Sequence, residues 1–465
     1  MSKLGAIRGP MLNPRAEGSV DFWPDGVIVG DSQGRIVDAG RWEHVAAKLG
    51  LRAESVVRSQ GIIIPAMLDA HIHIPQFPVR GYFVEGIGPH PADGRLLAGL
   101  NRNVFPAEAR CADIEYARQV TRDFLAATLA QGTVGGAAYM TVHTAAARVA
   151  LELLPDTWSV GPVLMNQNCP DYLRTDEPVL TAEVESMAHD FGRRLIVTDR
   201  FALSVTTPLR RRAVELAKRL DLRMQTHLNE QLAEKRFVEE TLYPDYDSYT
   251  DVYRRDGLLD CDPILAHCVW MSGEEFDLLA GTGSFIAHCP VSNTLLGSGV
   301  MPIDEVLARK VPYALCTDVG ASPTVSLLCE MIQFLRVHAQ SSLAATPSEA
   351  LYRTTLAPAV GLNLADRLGS FEPGKETSFI EVACDTSPVV MATWTADEAI
   401  ARGVLGLKAD DLPKADSPSV TAIEHLRVLG LEGGAELDLL TDEVQRTAER
   451  VEHRVLRVVV AGRTV

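Results

Sequence analysis

Between residues 62 and 318 the chain repeats one pattern, in which a short apolar run ends in a polar side chain and a helix-like stretch follows. The polar residues at the ends of these runs are His71, His73, His227, His267, His288 and Asp318. Short apolar strands that alternate with longer helices predict βα units around a parallel sheet. Because the carboxyl ends of parallel strands meet on one face, we expect these side chains to converge there.

The stretches on either side of this core have the pattern of β structure. Residues 26–30 and 35–38 predict two strands joined by a turn, and residues 454–465 predict a hairpin. A core of about 300 residues suits a (β/α)8 barrel. The predicted fold is therefore α/β, with a (β/α)8 TIM-type barrel over 64–367 and a small β-sandwich domain formed by both chain ends, 1–63 and 368–465. The C-terminal part includes an acidic, partly helical insertion over 395–450.

The composition excludes several classes of protein. The chain carries 44 Lys and Arg against 61 Asp and Glu, and a net charge of −17 argues against a nucleic-acid partner. No apolar run approaches the roughly 18 residues that a membrane span needs. The first residues lack the apolar segment of a secretory signal, and the eight cysteines form no CxxC pair. We expect a cytoplasmic protein with reduced thiols and no membrane partner.

Four of the strand-end residues form a candidate metal site. His71 and His73 are two residues apart, so both side chains point the same way from a strand. His227 and Asp318 complete a set of three nitrogen ligands and one oxygen ligand, which suits Zn²⁺ and leaves a position for water. One Zn²⁺ per chain is the predicted cofactor, and Fe²⁺ fits the same ligand types.

The arrangement resembles the amidohydrolase superfamily of metal-dependent hydrolases. One branch of that superfamily uses a carboxylated lysine to bridge two metals, but this chain has no lysine between Lys48 and Lys218. The resemblance therefore implies the mononuclear, deaminase-like branch. Within it the chain is similar to guanine deaminases in the segments DAHIHIPQ (69–76), VFPAEAR (104–110), YMTVHT (139–144), RFALS (200–204), MQTHLNE (224–230), YPDYDSYTDVY (243–253), AHCPVSN (287–293) and TDVGASP (317–323).

The resemblance implies a role for each candidate catalytic residue. Glu230 would carry protons to the ring of the substrate, the alternative being a carboxylate in the first turn of a helix. His267 would orient the attacking water, the alternative being a further metal ligand. Asp318 would be both a metal ligand and the acceptor of the water proton. The implied reaction is hydrolytic deamination of guanine to xanthine and ammonia.

The resemblance also implies residues that hold the base. Gln76 offers a donor and an acceptor, and Arg200 offers a fork of donors for a ring carbonyl. Phe201 would form an aromatic wall, although it could equally be an ordinary core residue. The expected partner is a small nucleobase-like molecule, and the family commonly forms homodimers. His143 is predicted to be structural, and His288 is left between a supporting role, a substrate contact and a structural role.

Some positions depart from the family pattern, and they leave the identity of the substrate open. Asn166 and Gln167 stand where charged residues are usual, and Ala321 and Ser322 stand where glycines are usual. Asp199 replaces a proline before the Arg-Phe pair. The alternative substrates are a pterin, a modified purine or a triazine. A non-catalytic metal-binding homologue is the remaining alternative, and loss of a ligand or of Glu230 would have marked it.

Overall fold

The computed structural model describes residues 5–15, 18–87, 94–338, 342–408 and 434–465. Its strands are β1 (Ala6–Pro14), β2 (Val20–Gly30), β3 (Ile36–Arg41), β4 (Val57–Arg58), β5 (Gly61–Pro65), β6 (Met67–His73), β7 (Thr133–Tyr139), β8 (Trp158–Gly161), β9 (Val163–Leu164), β10 (Val197–Asp199), β11 (Met224–Leu228), β12 (Ile264–His267), β13 (Phe285–His288), β14 (Tyr313–Leu315), β15 (Phe379–Ala383), β16 (Val455–Val460) and β17 (Arg463–Thr464).

The α-helices lie mostly between the central strands. They are α1 (Trp42–Leu49), α2 (Gly94–Gly99), α3 (Phe105–Ala109), α4 (Ile114–Ala130), α5 (Thr144–Leu153), α6 (Glu177–Phe191), α7 (Thr207–Leu220), α8 (Leu232–Phe237), α9 (Tyr249–Asp256), α10 (Gly273–Ala280), α11 (Pro290–Leu295), α12 (Ile303–Ala308), α13 (Leu327–His338), α14 (Pro347–Thr354), α15 (Leu356–Gly361), α16 (Pro388–Met391), α17 (Ala396–Glu398) and α18 (Gly434–Glu452). Short π-helical segments follow α2, α8 and α17, at Leu100–Val104, Val238–Leu242 and Ala399–Val404.

The central strands are parallel and form two ladders, β6-β7-β8 and β9-β10-β11-β12-β13-β14. Only Pro162 separates β8 from β9, and an isolated parallel bridge joins Val160 to Leu195. On the far side, the Asp318 amide donates to the His71 carbonyl at 2.9 Å. The arrangement is a mixed α/β fold consistent with the predicted barrel, but the strands do not pair as one continuous closed sheet.

The strands from the two chain ends form a single mixed sheet of eight strands. Its order is β17-β16-β15-β5-β1-β2-β3, with β4 on β1. The predicted hairpin at the C-terminus and the predicted pair of strands near the N-terminus are both present. The β-sandwich prediction is not confirmed, because the described strands at both ends pair edge to edge in one sheet rather than facing each other in two.

The chain-end sheet leads directly into the first central strand. Strand β5 ends at Pro65 and β6 begins at Met67, so Ala66 alone separates them. Both strands are buried along their whole length. Strand β5 has the nearly continuous apolar sequence of a buried strand, whereas in β6 Asp69, His71 and His73 alternate with apolar residues. The continuity fixes the position of the His71 and His73 side chains relative to the chain-end sheet.

Helix starts followed their sequence signals to different degrees. Helix α7 begins at Thr207 with Pro208 in its first turn, a position that proline favours. Ser272 and Glu275 form a reciprocal capping box at α10. At α14 Thr346 accepts from the Glu349 amide, but the Glu349 carboxylate contacts Tyr313 and Arg353. The sequence Thr346-Pro-Ser-Glu349 therefore forms only half of a capping box.

Two expectations concern regions only partly described. The predicted insertion at 395–450 includes residues 409–433, which lie outside the described residues, and its described parts are helical. Among the described helices, none combines the length and the apolar character that crossing a membrane requires.

Candidate active site

The polar side chains at the strand ends converge, as the parallel arrangement predicts. One ligand atom from each of four buried residues, His71, His227, His267 and Asp318, lies within 4.8 Å of the others. His73 lies beside this group, with its Nε2 atom 3.2 Å from Asp318 Oδ1 and 3.3 Å from His227 Nε2. The four predicted metal ligands are therefore neighbours, and His267 shares their site.

The backbone is strained where two of these side chains leave their strands. His267, the last residue of β12, has a φ of 73°, and Asp318 has a φ of 52°. Residues other than glycine rarely adopt this left-handed region, and each such residue costs of order 1–3 kcal/mol. Such strain persists where the surrounding structure over-determines the conformation, and here it aims both side chains into the site.

The electrostatics of the site favour neutral imidazoles beside an ionised carboxylate. Burial lowers the pKa of His71 to about 4 and lowers the pKa of His227 well below its usual value. Burial alone would raise the pKa of Asp318, but the His71 and His73 rings, whose Nε2 atoms each lie 3.2 Å from Asp318 Oδ1, hold that pKa well below its usual range. Neutral imidazoles and a carboxylate are the forms that bind a metal ion.

Hydrogen bonds on the far side of two rings fix their tautomers. His227 donates from Nδ1 to the Arg200 carbonyl at 2.6 Å, and His267 donates from Nδ1 to Asn293 Oδ1 at 2.9 Å. In each ring the Nε2 lone pair is thereby directed into the site. The Nε2 atoms of His71 and His267 are buried and make no hydrogen bond within the described chain. Such lone pairs fit a metal ion or a water bound to it.

Two further residues support the carboxylate end of the site, and the sequence reasoning missed both. Ser292 donates from Oγ to Asp318 Oδ2 at 2.7 Å. Asp69 accepts from the His71 amide at 3.2 Å and from Thr317 Oγ1 at 2.5 Å, and so joins the ends of β6 and β14. Their signal was available, since both lie in the segments that resemble the family.

Glu230 lies where a proton carrier would be useful. It follows β11 and precedes α8, so it is not part of the first helical turn. Its Oε2 atom is 3.6 Å from His267 Nε2, and its Oε1 atom accepts from Ser298 Oγ at 3.0 Å. Burial raises the pKa of Glu230 to about 7. A carboxyl group with this pKa can take and give a proton near neutral pH.

The predicted substrate residues share one cavity with the metal site. All predicted site residues except His71 line it, and Phe83, Leu96, Leu100 and Leu296 supply apolar walls. Arg200 pairs with Glu108 through two hydrogen bonds of 2.8 and 2.9 Å, and Gln76 donates to the same carboxylate at 2.9 Å. Glu108 was not predicted, although it lies in the similar segment VFPAEAR. The cavity combines aromatic and apolar walls with a few fixed polar groups, as small-molecule sites do.

The departures from the family pattern lie elsewhere. Asn166 and Gln167 bond to the 202–206 loop, and neither they nor Ala321 and Ser322 line the cavity. The structure therefore places these four substitutions outside the lining of the cavity. Asp199, in place of the usual proline, forms a buried ion pair with Arg210 at 3.0 Å.

Two histidines left open by the sequence have other surroundings. His288 does not line the cavity, and its Nε2 atom is 2.9 Å from His338 Nε2 in the buried core. Burial lowers the pKa of both rings, that of His338 to about 3. His143 immediately precedes α5 and also lies outside the cavity, and its structural role stays a prediction.

Comparisons with known proteins agree with this geometry. Residues 62–405 match the model of the amidohydrolase family. The chain is 32% identical to guanine deaminase of Escherichia coli (strain K12) over 407 residues, 83% of this chain and 89% of that protein. It is 33% identical to guanine deaminase of Mus musculus over 67% of this chain and 70% of that one. The solved structure of the E. coli guanine deaminase superposes with a TM-score of 0.75 at 27% identity, covering 100% of this chain and 99% of that chain.

Proposed function

The chain belongs to the amidohydrolase family, and we propose that it hydrolyses guanine to xanthine and ammonia. The observation that carries the proposal is the cavity itself, which is lined by Glu230, by histidines of the cluster and by both Arg200 and Gln76. The identity of about a third with guanine deaminases over most of their length supports the choice of base.

We propose one divalent metal ion per chain, held by His71, His73, His227 and Asp318. The buried, neutral imidazoles and the ionised carboxylate fit a borderline cation such as Zn²⁺, and Fe²⁺ fits the same donors. Bound there, the metal supplies Lewis acidity that makes water nucleophilic near neutral pH. His267 is assigned to the water rather than to the metal because its Nε2 atom faces the Glu230 carboxylate at 3.6 Å.

The residues of the chain then move the protons. Water adds to C2 of guanine, and Glu230 gives a proton to the ring nitrogen beside C2. Asp318 accepts the proton of the attacking water and passes it to the departing amino group. As the bond between C2 and that nitrogen breaks, the new C2 hydroxyl returns its proton to Glu230 and becomes a carbonyl, so xanthine and ammonia are released and both carboxyl groups regain their starting state. His267 holds the water and stabilises the negative charge that develops during the addition.

The base would lie against Phe201, within reach of Arg200 and Gln76. Phe201 is 3% exposed, and its ring centroid is 6.2 Å from that of His227. An aromatic wall this close to a proposed metal ligand would place a flat base with one edge towards the metal. Arg200 would donate to the ring carbonyl, and Gln76 would form a hydrogen bond with the neighbouring ring nitrogen.

The finer features of the architecture are also proposals. We propose that the central strands act as a (β/α)8 barrel over 64–367, with the site at the carboxyl ends of its strands. The flanking segments, 1–63 and 368–465, would form the second domain. The homodimer and the cytoplasmic location stay predictions from the sequence.

The direct test is to incubate the purified, zinc-loaded protein with guanine and follow the ultraviolet change to xanthine. We expect turnover at ordinary enzymatic rates, its loss on chelation, and its return when Zn²⁺ is restored. The Glu230→Gln variant should retain the metal and lose most of the activity. A zinc-loaded wild type that leaves guanine unchanged would contradict the proposal and turn attention to other amino-heterocycles.

A further inference from the structure

Glu108 contacts both polar residues of the proposed base site. It lies in α3, and its residue is 1% exposed. Its Oε2 atom accepts from Arg200 Nη1 at 2.8 Å, and its Oε1 atom accepts from Arg200 Nη2 at 2.9 Å and from Gln76 Nε2 at 2.9 Å. A buried carboxylate with three charge-assisted or amide donors is a rigid connection between the two side chains.

The first consequence concerns the amide of Gln76. A carboxylate can only accept hydrogen bonds, so the amide must turn its NH₂ group towards Glu108 and its Oε1 atom away. On the opposite side, Gly320 leaves space for this side chain. A Cβ atom built at Gly320 would lie only 2.0 Å from Gln76 Oε1, and the φ of Gly320 is 127°. The amide is therefore fixed from both sides, with an acceptor as its free group.

The second consequence concerns the guanidinium of Arg200. The two-point pair with Glu108 fixes the plane of the guanidinium, and the Phe105 ring lies 5.1 Å from its Cζ atom. Each terminal nitrogen gives one hydrogen to the carboxylate and keeps one more. The remaining N–H groups therefore point in directions that Glu108 determines, and a ligand need not spend free energy on ordering the side chain.

We propose that Glu108 is the positioning residue that sets the donor and acceptor pattern of the base pocket, an inference that rests on the proposed function. With Glu108 in place, Arg200 offers donors and Gln76 offers an acceptor. This pair is complementary to a ring carbonyl beside a ring N–H, the lactam edge that guanine carries at C6 and N1. A ring without that edge would leave the buried polar groups unpaired and be rejected.

The Glu108→Gln variant separates this role from that of an ion pair that only stabilises the fold. A glutamine at position 108 keeps the shape of the side chain but loses the charge. Because its amide can donate as well as accept, the Gln76 amide group can flip and exchange its donor and acceptor positions. The probes are hypoxanthine, which has the lactam edge, and unsubstituted purine, which lacks it. Their inhibition constants are measured on the zinc-loaded full chain with guanine as substrate. The inhibition constant of purine divided by that of hypoxanthine measures how strongly the pocket prefers the lactam edge.

We expect the ratio of inhibition constants to fall at least tenfold in Glu108→Gln, and the KM for guanine to rise by more than kcat falls. Glu115→Gln is the matched control, because Glu115 is an exposed carboxylate on the neighbouring helix α4. It should leave the ratio unchanged. If Glu108→Gln does not fold, Glu108→Asp keeps the buried charge but is too short for both partners, and its ratio should fall as well.

The outcomes are distinguishable. A wild type that deaminates guanine, together with variants that keep the wild-type ratio, would overturn the inference and leave the proposed function intact. A wild type that binds neither probe and leaves guanine unchanged would contradict the proposed function and this inference with it. A reduced ratio with normal metal content supports the positioning role, because loss of stability alone would not change the preference between two bases.

Discussion

Asn293 holds His267 by accepting a hydrogen bond from its Nδ1 atom at 2.9 Å. The preceding residue, Ser292, holds Asp318 by donating a hydrogen bond from its hydroxyl group to Asp318 Oδ2 at 2.7 Å. Two adjacent side chains at the start of α11 therefore orient two different members of the site. Supporting residues of this kind typically change metal affinity or activity by 10–100-fold when they are removed.

Asn293→Ala should lower kcat by about 10–100-fold with little change in the KM for guanine. His267 would lose the partner that fixes its tautomer, so its Nε2 atom would no longer be held ready for the water. The metal ligands are untouched, so metal content measured after dialysis should stay at the wild-type level. Unchanged kcat at full metal content would contradict the role given to Asn293.

Ser292→Ala should show the opposite signature. Removing the donor to Asp318 Oδ2 weakens a proposed ligand, so metal affinity should fall by about 10–100-fold. Competition with a chelator measures this affinity directly. With excess zinc, kcat should recover to near the wild-type value, in contrast to the adjacent Asn293 variant. Wild-type affinity would show that this hydrogen bond does not support the metal.

In the chelator-treated form, the stability advantage of Glu230→Gln over the wild type should grow as pH rises. Burial raises the pKa of Glu230 from 4.5 to about 7, so the folded state keeps a proton that the unfolded state releases between these values. In this window the wild type loses stability with rising pH, by as much as about 3 kcal/mol. Because glutamine cannot ionise, the free energy of unfolding of the variant does not fall for this reason.

Urea unfolding of both chelated proteins at pH 5 and pH 8 measures the effect. The difference in unfolding free energy reports residue 230 together with His267, because the charge of Glu230 helps to raise the pKa of His267 against the effect of burial. We expect the advantage of the variant to be larger at pH 8. Parallel stability curves would mean that the folded protein does not perturb this carboxyl group.

Arg210→Met should destabilise the fold by about 3–5 kcal/mol. Arg210 is fully buried and pairs with Asp199 and Asp256, so its removal leaves buried Asp199 without its cation and leaves Asp256 with Arg211 alone. Arg212→Met is the control, because Arg212 is exposed and, among the described residues, pairs only with Glu215 three residues away on the same helix. Denaturant midpoints should separate the two variants. The free energy of unfolding of the control should fall by no more than about 1 kcal/mol. Equal midpoints would contradict a structural role for the buried cluster.

The sequence was sufficient to predict the residues at the strand ends. Their positions follow from a general property of parallel strands, which brings residues far apart in the chain to one face. His71, His227 and Asp318 converge for this reason, and Glu230 joins them because it lies just beyond β11. These predictions needed only the strands and their direction.

The parts that were missed depend on contacts without a periodic signal. Glu108 is 92 residues from Arg200 and lies on a helix of five residues, so no spacing connects the two. The β-sandwich prediction for the chain ends did not identify the single sheet for a related reason. Apolar alternation indicates strands but does not show that Glu381 pairs with Ile63 in the same sheet rather than in a facing one.

Arg200 belongs to both halves of the site. Its carbonyl accepts from His227 Nδ1 while its guanidinium faces the base pocket. A base bound by the Arg200 side chain and a cation bound by the His227 imidazole would therefore both depend on the position of Arg200. Thermodynamic linkage then requires reciprocity: whatever factor the metal contributes to affinity for the base, the base contributes to affinity for the metal. Zinc-loaded protein should therefore bind guanine more tightly than zinc-depleted protein, and guanine should raise the affinity for zinc by the same factor.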